Sequence, residues 1–503
     1  MKSLWNNDKA NKCKTDLALR VYSSRLLGQS PALVLHGGGN TSVKIEGILY
    51  VKGSGWDLAT IEPAGFAPVK LDVLKKMVKL SQISDMEMVQ TQRAAMINPN
   101  SPNPSEEAIL HAIIPFKFVD HTHGDAIVTI TNTDNGEERI RQIYGKRVVI
   151  IPCVESGLIL AQTVYKLTRD IDWTQIDGLI LMNHGLFTFG ENAKTSYEQM
   201  IKLVKEAENY LENQAAILPN NYPNVKPKVN LLKLASIRQN ICKIKGAAMI
   251  AQLDSSPASV NFSNRPDVSS IATRGVLTPG QVIFTKRIPV ILGENPEKDI
   301  ANYAQAYCDY FERHTNGKLE CLNPAPCWAI WPGFGIISFG RSLKEVKIIS
   351  DIKTQTIQAI QIAELLGGWK PLSESDIFKV EYREIEQAKL RKESSYPPLQ
   401  GQIALVTEIT SIKNLESLGA TVVIIKEEKE VETVIRKFGG LDILISNAGN
   451  FSSSEKIADL HSKTWDESLA LNLTSHQRLL TACTPYLAQG INRTSSDYDS
   501  YLE

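Results

Sequence analysis

The chain has 503 residues, with 55 Lys and Arg balanced by 55 Asp and Glu, so its formal net charge is zero. This length exceeds one ordinary hydrophobic core and predicts about two to four domains. The balanced charge, without a basic tract, argues against nucleic acid or an anionic membrane surface as a partner.

The N-terminus and the cysteines indicate a cytoplasmic protein. The first residues, MKSLWNNDKANKCK, lack the apolar run of a signal peptide. No apolar stretch approaches the roughly 20 residues that span a bilayer. The seven cysteines are scattered and form no CxxC pair, which argues against a disulfide framework or a cysteine-zinc site. We therefore expect a reducing cytoplasm and no membrane partner.

Three consecutive regions are predicted, at residues 1–225, 226–395 and 396–503. The first alternates apolar strands, such as PALVLHGGGNTSV, FVDHTHGDAIVTIT and KRVVIIP, with amphipathic stretches. The third follows a charged, proline-containing linker and alternates strands with helices, which favours a parallel sheet. The predicted fold class is α/β throughout.

A segment of the second region shows weak sequence similarity to a segment of the first. Aligning Gly185 with Gly335 pairs GLFTFGENAK with GIISFGRSLK, and both copies have the pattern of strand, turn and helix. Phe334 then stands at the position of His184. This comparison predicts a duplicated α/β unit in which the second copy has lost a histidine, although chance similarity of two such units is the alternative.

Histidines in two separated motifs predict a divalent-metal site. His121 and His123 lie two apart in an apolar strand, which places both side chains on one face. His184 follows another apolar strand and is the best third ligand for zinc-type coordination. Glu107 opens the helix that leads into the first motif, so its carboxylate is expected beside the ligands. His111, among apolar neighbours, is predicted to be a buried structural histidine.

Two glycine-rich loops, HGGGNTS (36–42) and KGSGWDL (52–58), are predicted at strand ends. Successive glycines allow backbone N–H groups to form a concave anion site. Asn40 and Ser54 add side-chain donors, and Lys52 adds charge. The loops therefore predict phosphate or carboxylate binding, with tight β-turns as the alternative.

Five motifs in a fixed order resemble the class II aldolase/adducin family. They are Gly-Gly-Asn-Thr-Ser, Gly-Ser-Gly, Pro-Ser-Glu-Glu, His-Thr-His and Asn-His-Gly. Over its whole length the chain is similar to the bifunctional rhamnulose-1-phosphate aldolase/short-chain dehydrogenase proteins. The resemblance implies a three-layer α/β/α aldolase domain, a second related α/β region and a partial Rossmann-like C-terminal domain. It also implies a homo-oligomer that acts on a phosphorylated or free sugar.

The resemblance also implies a role for each site residue. His121, His123 and His184 would hold Zn²⁺ or another divalent metal, and Glu107 would be the catalytic acid/base. One departure is Glu106, which stands where these aldolases often have a serine and would repel a phosphate. The residues that would line the phosphate pocket are Gly39, Asn40, Ser54, Gly55 and Ser105.

The C-terminal region resembles the short-chain dehydrogenases but lacks parts that they need. Asn447, Ala448 and Gly449 match the family's NAG turn, and Asn472 matches its helix asparagine. The first strand is not followed by the glycine loop that lets backbone reach a pyrophosphate. No Tyr-x-x-x-Lys pair follows. We therefore predict a vestigial cofactor site and no NAD-dependent oxidation.

Three functions stay open at this point. One is a zinc-dependent lyase that cleaves a ketose 1-phosphate into dihydroxyacetone phosphate and an aldehyde. Another is a sugar-phosphate 4-epimerase, which uses the same metal on the same scaffold. The last is a non-catalytic, adducin-like module, for which a metal triad would have no use.

Overall fold

The structure is a computed structural model that describes residues 1–81, 83–219, 221–223, 226–387, 396–407, 412–446 and 461–491. The chain divides into two compact units. The first is Met1–Pro219, Arg274–Ile283 and Thr354–Lys389, and the second is Asn220–Thr273, Phe284–Lys353 and Leu390–Glu503. The three regions predicted from the sequence divide the chain differently, and their boundaries stay a prediction.

A mixed sheet forms the centre of the first unit. Its strands are β1 (Asn40–Ile45), β2 (Ile48–Lys52), β3 (Phe66–Lys70), β4 (Phe118–Thr122), β5 (Val148–Ile151), β6 (Gly178–Leu181) and β7 (Gly185–Gly190). They are ordered β3-β2-β1-β4-β7-β6-β5 across the sheet. Neighbours are antiparallel except β5 and β6, which are parallel. The strand β4 therefore lies at the middle of the sheet, between β1 and β7.

Helices cover both faces of this sheet. Because successive residues of a strand point to opposite faces, Leu179 and Phe187 join one buried cluster, whereas Ile180 and Leu186 join the other. The result is the three-layer α/β/α arrangement that the sequence predicts. The helices up to residue 213 are α1 (Asn7–Ala10), α2 (Asp16–Gly28), α3 (Leu71–Met77), α4 (Asp85–Ala94), α5 (Ala108–Ile113), α6 (Asp125–Thr131), α7 (Gly136–Tyr144), α8 (Leu158–Thr168) and α9 (Ala193–Asn213).

The second unit contains a smaller sheet that repeats part of the first. Its strands are β8 (Ile250–Asp254), β9 (Val290–Ile291), β10 (Trp328–Trp331) and β11 (Gly335–Gly340), in the order β8-β11-β10-β9. The pairings are antiparallel, antiparallel and parallel, as in β4-β7-β6-β5. The strand register also repeats. Gly190 and Gly340 are aligned with each other in the two sequences, and they lie opposite Phe118 of β4 and Ile250 of β8, respectively. The weak internal similarity seen in the sequence therefore corresponds to a sheet topology that occurs in both units.

The chain between residues 231 and 381 also contains several α-helices. The longest of them, α15, follows β11 as α9 follows β7. The helices are α10 (Leu231–Lys245), α11 (Pro257–Ser263), α12 (Val268–Ala272), α13 (Val282–Thr285), α14 (Pro296–His314), α15 (Leu343–Leu365) and α16 (Glu374–Glu381).

A parallel sheet forms the C-terminal part of the second unit, as the alternation of strands and helices predicts. Its strands β12 (Ile403–Val406), β13 (Thr421–Ile424) and β14 (Ile443–Ile445) are ordered β13-β12-β14. The helices around it are α17 (Ile412–Ser417), α18 (Val431–Phe438), α19 (Ser462–Leu469) and α20 (Ser475–Leu487). Among the residues described here, no helix combines the length and apolar character needed to cross a membrane.

Two predicted strands are wrong in extent. The predicted strand PALVLH is a loop, and β1 begins only at Asn40, so HGGG precedes a strand instead of following one. The predicted His-Thr-His strand ends at Thr122, and His123 lies just beyond it. The loop and the end of β4 meet, because the His123 N–H donates to the Leu33 carbonyl at 3.0 Å.

Candidate metal centre

Three histidines converge at one end of the central strands of the first sheet. His121 lies near the end of β4, His123 follows that strand, and His184 lies in the turn between β6 and β7. One ring nitrogen from each histidine lies within 4.8 Å of the other two. Imidazoles that converge in this way are the usual ligands of zinc and similar divalent cations. The structure thus brings together the three ligands that the sequence predicts.

The turn that carries His184 owes its shape to Asn183 and Gly185. Asn183 adopts a left-handed backbone with φ of 59°, and its side-chain amide donates to Asn132 at 2.8 Å. Gly185 is required by close approach, since a Cβ there would lie 2.3 Å from the Thr122 carbonyl oxygen. The two residues together place the His184 ring beside β4.

A backbone hydrogen bond orients the His121 ring. Its Nδ1 donates to the Leu186 carbonyl at 2.9 Å, and the ring stacks on Phe187 with centroids 4.2 Å apart. This leaves the Nε2 lone pair facing the other two histidines, as in metal sites whose ligands are held by a second hydrogen bond. Nε2 is buried and has no hydrogen-bond partner among the described residues. A divalent cation would satisfy it.

Burial keeps two of the rings neutral. Loss of solvation, reinforced by the neighbouring His184, holds the pKa of His121 well below its usual value near 6.5. Burial likewise lowers the pKa of His123, with smaller contributions from the other two histidines and from Lys52. Neutral imidazole is the form that coordinates a metal. At neutral pH each of these rings therefore has a lone pair on one nitrogen that a cation can use.

Glu107 lies at the edge of the three histidines. It occupies the N-cap position of α5, and its side chain is almost fully buried. Its Oε2 lies 3.5 Å from the His121 Nε2, and its Oε1 lies 3.8 Å from the His184 Nε2. Oε1 is also buried without a hydrogen-bond partner among the described residues. A carboxylate placed there can exchange a proton with a molecule bound at the cation.

A chain of hydrogen bonds holds Glu107 in place. Asn40 donates from Nδ2 to the Glu107 Oε2 at 2.7 Å, and its Oδ1 is bonded to the Nε2 of His111. The Nδ1 of His111 is bonded to Ser42 at 2.8 Å. His111 is fully buried, which confirms its predicted structural role. The assignment of Asn40 to a phosphate pocket stays a prediction; in this structure its Nδ2 orients Glu107 and its Oδ1 is bonded to His111.

The first glycine loop packs against the histidines. Gly37 and Gly39 have φ values of 75° and 63°, a conformation that favours glycine. A Cβ on Gly39 would lie 2.6 Å from the His121 carbonyl oxygen, and one on Gly38 would lie 3.3 Å from the His123 Nδ1. Gly39 is therefore needed for close packing against the histidines, and Gly38 leaves little room for a side chain there, whereas Gly37 has space around it and only its φ favours glycine.

The second glycine loop pairs with the segment before Glu107. The Ser54 N–H donates to the Asn103 carbonyl at 2.8 Å, and the Ser105 N–H donates to the Lys52 carbonyl at 3.1 Å. Both amides are therefore engaged within the protein. Gly55 has φ of 84° and is exposed beside them. The phosphate assignment of this loop consequently depends on the two serine hydroxyls and the Lys52 charge.

The dehydrogenase-like residues fall mostly outside the described part of the chain. Asn447, Ala448 and Gly449 lie outside the described residues, directly after the described strand β14 and residue 446. Asn472 lies in the π-helical turn Ala470–Thr474, and its amide donates to Ser468 at 3.1 Å.

Family models match three successive parts of the chain. The model of the class II aldolase and adducin N-terminal domain matches residues 20–211, and the model of the class II aldolase second domain matches residues 228–390. The chain belongs to the class II aldolase and adducin family. The short chain dehydrogenase model matches residues 420–494 of this aldolase-family chain.

Relatives of this aldolase-family chain share one or more of its parts. The uncharacterized oxidoreductase YuxG of Bacillus subtilis (strain 168) is 27% identical over 528 residues, which cover 90% of this chain and 75% of YuxG. A class II aldolase domain from Thermoplasma acidophilum is 40% identical, covering 42% of this chain and 99% of that domain, with a TM-score of 0.39. L-fuculose-1-phosphate aldolase from Thermus thermophilus is 19% identical, covering 39% and 95%, with a TM-score of 0.27.

Proposed function

We propose that this chain is a divalent-metal-dependent aldolase, with zinc as the expected ion. The substrate would be a ketose 1-phosphate such as rhamnulose 1-phosphate, cleaved into dihydroxyacetone phosphate and an aldehyde. The observation that supports this best is a pair of buried polar atoms that have no hydrogen-bond partner in the described part of the chain, the His121 Nε2 and the Glu107 Oε1, both beside His184. In a metal-dependent aldolase, the nitrogen would coordinate the cation and the carboxylate would exchange a proton with the substrate.

The residues of the site divide the reaction between them. A bound divalent cation would supply a Lewis acid that polarises the substrate carbonyl. Cleavage of the carbon–carbon bond turns the hydroxyl of the departing half into an aldehyde, as its proton passes to solvent, and leaves an electron pair on the carbon next to the carbonyl; solvent returns a proton to Glu107 at the end of the cycle. Glu107, as the carboxylic acid, would deliver a proton to that carbon, and its carboxylate would remove the proton in the reverse direction. Asn40 would keep the carboxylate aimed at this carbon.

Product analysis tests the proposal against its alternatives. The full chain, loaded with zinc, is incubated with candidate ketose 1-phosphates and with free deoxy-ketoses, and dihydroxyacetone phosphate or its unphosphorylated analogue is assayed. Release that stops after chelation and resumes after zinc is restored supports an aldolase. An inverted sugar phosphate without fragment release would indicate an epimerase instead. Neither product, from a chain that binds zinc, would favour the adducin-like module.

We further propose that the C-terminal region does not oxidise substrates with NAD. The segment between β12 and β13 reads TEITSIKNLESLGA, with a single glycine, and its described helix α17 is Ile412–Ser417. A dinucleotide site needs several glycines at this turn, so that backbone N–H groups reach the pyrophosphate. Titration with NADH, followed by nicotinamide fluorescence, is expected to show no saturable binding at micromolar concentrations. Saturable micromolar binding would sink this proposal.

A further inference from the structure

Arg383 lies at the centre of three carboxylates in the first unit. Its side chain is only 5% exposed, and its guanidinium lies 2.8 Å from Asp85, 3.1 Å from Glu106 and 3.0 Å from Glu155. It comes from the chain segment Thr354–Lys389, which belongs to the same compact unit as the metal centre. Arg383 lies in the part of the chain that matches the class II aldolase second domain. It thus adds a positive charge to the unit that contains the part matching the N-terminal domain.

The contact with Glu106 lies next to the catalytic machinery. Glu106 directly precedes Glu107, and the backbone here is held from both sides. The Ser105 N–H donates to the Lys52 carbonyl at 3.1 Å, and the Glu107 N–H donates to the Ser105 hydroxyl at 3.3 Å. Arg383 fixes the remaining residue of this turn through its side chain.

We propose that Arg383 is a positioning residue, which holds the turn Ser105–Glu107 so that the Glu107 carboxylate faces His121 and His184. This inference rests on the proposed function, because it assigns Arg383 a part in the same reaction. It also accounts for Glu106, whose charge is compensated by the guanidinium and is not left alone beside the substrate.

The charges of the cluster explain why one arginine has this effect. Asp85, Glu106 and Glu155 all pair with Arg383, so without its guanidinium the three carboxylates would repel one another in a half-buried place, with only the more distant charge of Lys379 acting on Glu155. Although burial lowers it, the three carboxylates keep the pKa of Arg383 above its ordinary value. Burial raises the pKa of Glu155, and Arg383 opposes that rise. Loss of the guanidinium would move Glu106, and with it Glu107.

Hydrogen exchange of the full chain tests the positioning directly. In Arg383→Met, amides of residues 105–113 are expected to exchange at least about tenfold faster than in the wild type, with the amides of β4 unchanged. Zinc content is expected to stay at the wild-type level, because the histidines are intact. The matched control is Arg147→Met, which removes an arginine that pairs with Asp177 and Glu206. It should leave the exchange of residues 105–113 unchanged.

Turnover gives the second measurement. Arg383→Met is expected to lower kcat by about 10²-fold, the cost of a small misplacement of a catalytic group, with KM nearly unchanged. The double variant Arg383→Met/Glu106→Gln should regain part of that loss, because one repelling charge is gone. A purely structural arginine would give no such rescue. Should Arg383→Met not fold, Arg383→Lys keeps the charge without the planar fork, and the same comparisons apply to it.

The two measurements separate this inference from the proposed function. Unchanged exchange at residues 105–113 in Arg383→Met, or a kcat within about twofold of wild type, would overturn the positioning role. If the wild type itself releases no aldol fragment, the proposed function fails, whereas the exchange experiment still decides whether Arg383 fixes the turn.

Discussion

At the scale of single residues, local sequence patterns identify the histidines of the site but not the residues that position Glu107. The three histidines are predictable because each lies in or beside an apolar stretch that the sequence marks as a strand, and because imidazole is a specific metal ligand. The role of Asn40 was not predicted, since its partners Glu107 and His111 lie 67 and 71 residues away. Arg383 was missed for the same reason, as 277 residues separate it from Glu106. A local pattern carries no signal for such contacts.

Replacing Glu107 by glutamine tests the acid/base assignment. The amide of Glu107→Gln can still accept from Asn40 through its oxygen but cannot exchange a proton. We expect kcat to fall by about 10²–10⁴-fold. Zinc content should stay at the wild-type level, because the three histidines remain. The measurement is turnover beside elemental analysis, with the exposed Glu137→Gln as control. Full activity in Glu107→Gln would show that another group moves the proton.

The buried His111 makes the stability of the metal-free protein depend on pH. Burial lowers the pKa of His111, so the folded state keeps the ring neutral, while the unfolded chain takes up a proton near pH 6.5. Below that pH the unfolded state binds more protons, so stability falls as the pH falls. His111→Asn removes this group. The unfolding free energy of the wild type, minus that of the variant, should therefore decrease by up to about 1.4 kcal/mol for each pH unit below pH 6.5.

Urea denaturation of both proteins in the presence of a chelator measures this difference. The other titrating groups include Asp125, whose pKa burial raises to about 7. They are common to wild type and variant and largely cancel in the comparison. Parallel stability curves between pH 7.5 and 5 would contradict the assignment of a neutral, buried ring.

At the scale of secondary structure elements, the helix α2 locks β1 and β4 together. Arg20 of α2 is fully buried, forms an ion pair with the equally buried Asp120, and donates to the carbonyls of Ser42 and Val119 at 3.3 and 3.4 Å. Asp120 is the neighbour of His121. The sequence indicated the strands, but the pairing of an arginine in α2 with β4 depends on packing between distant segments.

Asp120→Asn should therefore destabilise the protein strongly. It leaves the buried Arg20 without its compensating charge, which costs about 3–5 kcal/mol. The control is Glu137→Gln, which breaks the exposed pair with Arg141 and should change the unfolding free energy by less than about 1 kcal/mol. Urea denaturation of the two variants measures both values. Equal, small losses would show that the Arg20 charge is satisfied by the carbonyls alone.

At the scale of the whole molecule, the chain holds one strand pattern twice but the histidines only once. Since Phe118 and Ile250 occupy equivalent places in the two registers, His121 corresponds to Leu253 and His123 to Ser255. The alignment of Gly185 with Gly335 likewise places Phe334 at His184. Leucine and phenylalanine offer no lone pair to a metal, and the serine hydroxyl donates to the Phe334 carbonyl at 2.8 Å. The second sheet therefore has the same strand arrangement without the metal-ligating side chains.

The presence of the three histidines in only one of the two similar sheets predicts one tightly bound divalent cation per chain, not two. In the described part of the chain, the three histidines are the one cluster whose ligand atoms converge closely enough to hold an ion. Elemental analysis after extensive dialysis should give one zinc per wild-type chain. His123→Ala should retain almost none, because a site left with two imidazoles loses the chelation that gives structural and catalytic zinc sites their affinity. His314→Ala, which removes a histidine far from these in the chain and in the other unit, should keep the full amount. Two zinc ions per chain would mean that a second set of ligands exists, whereas one ion that survives in His123→Ala would mean that the metal centre described here is not the one that binds.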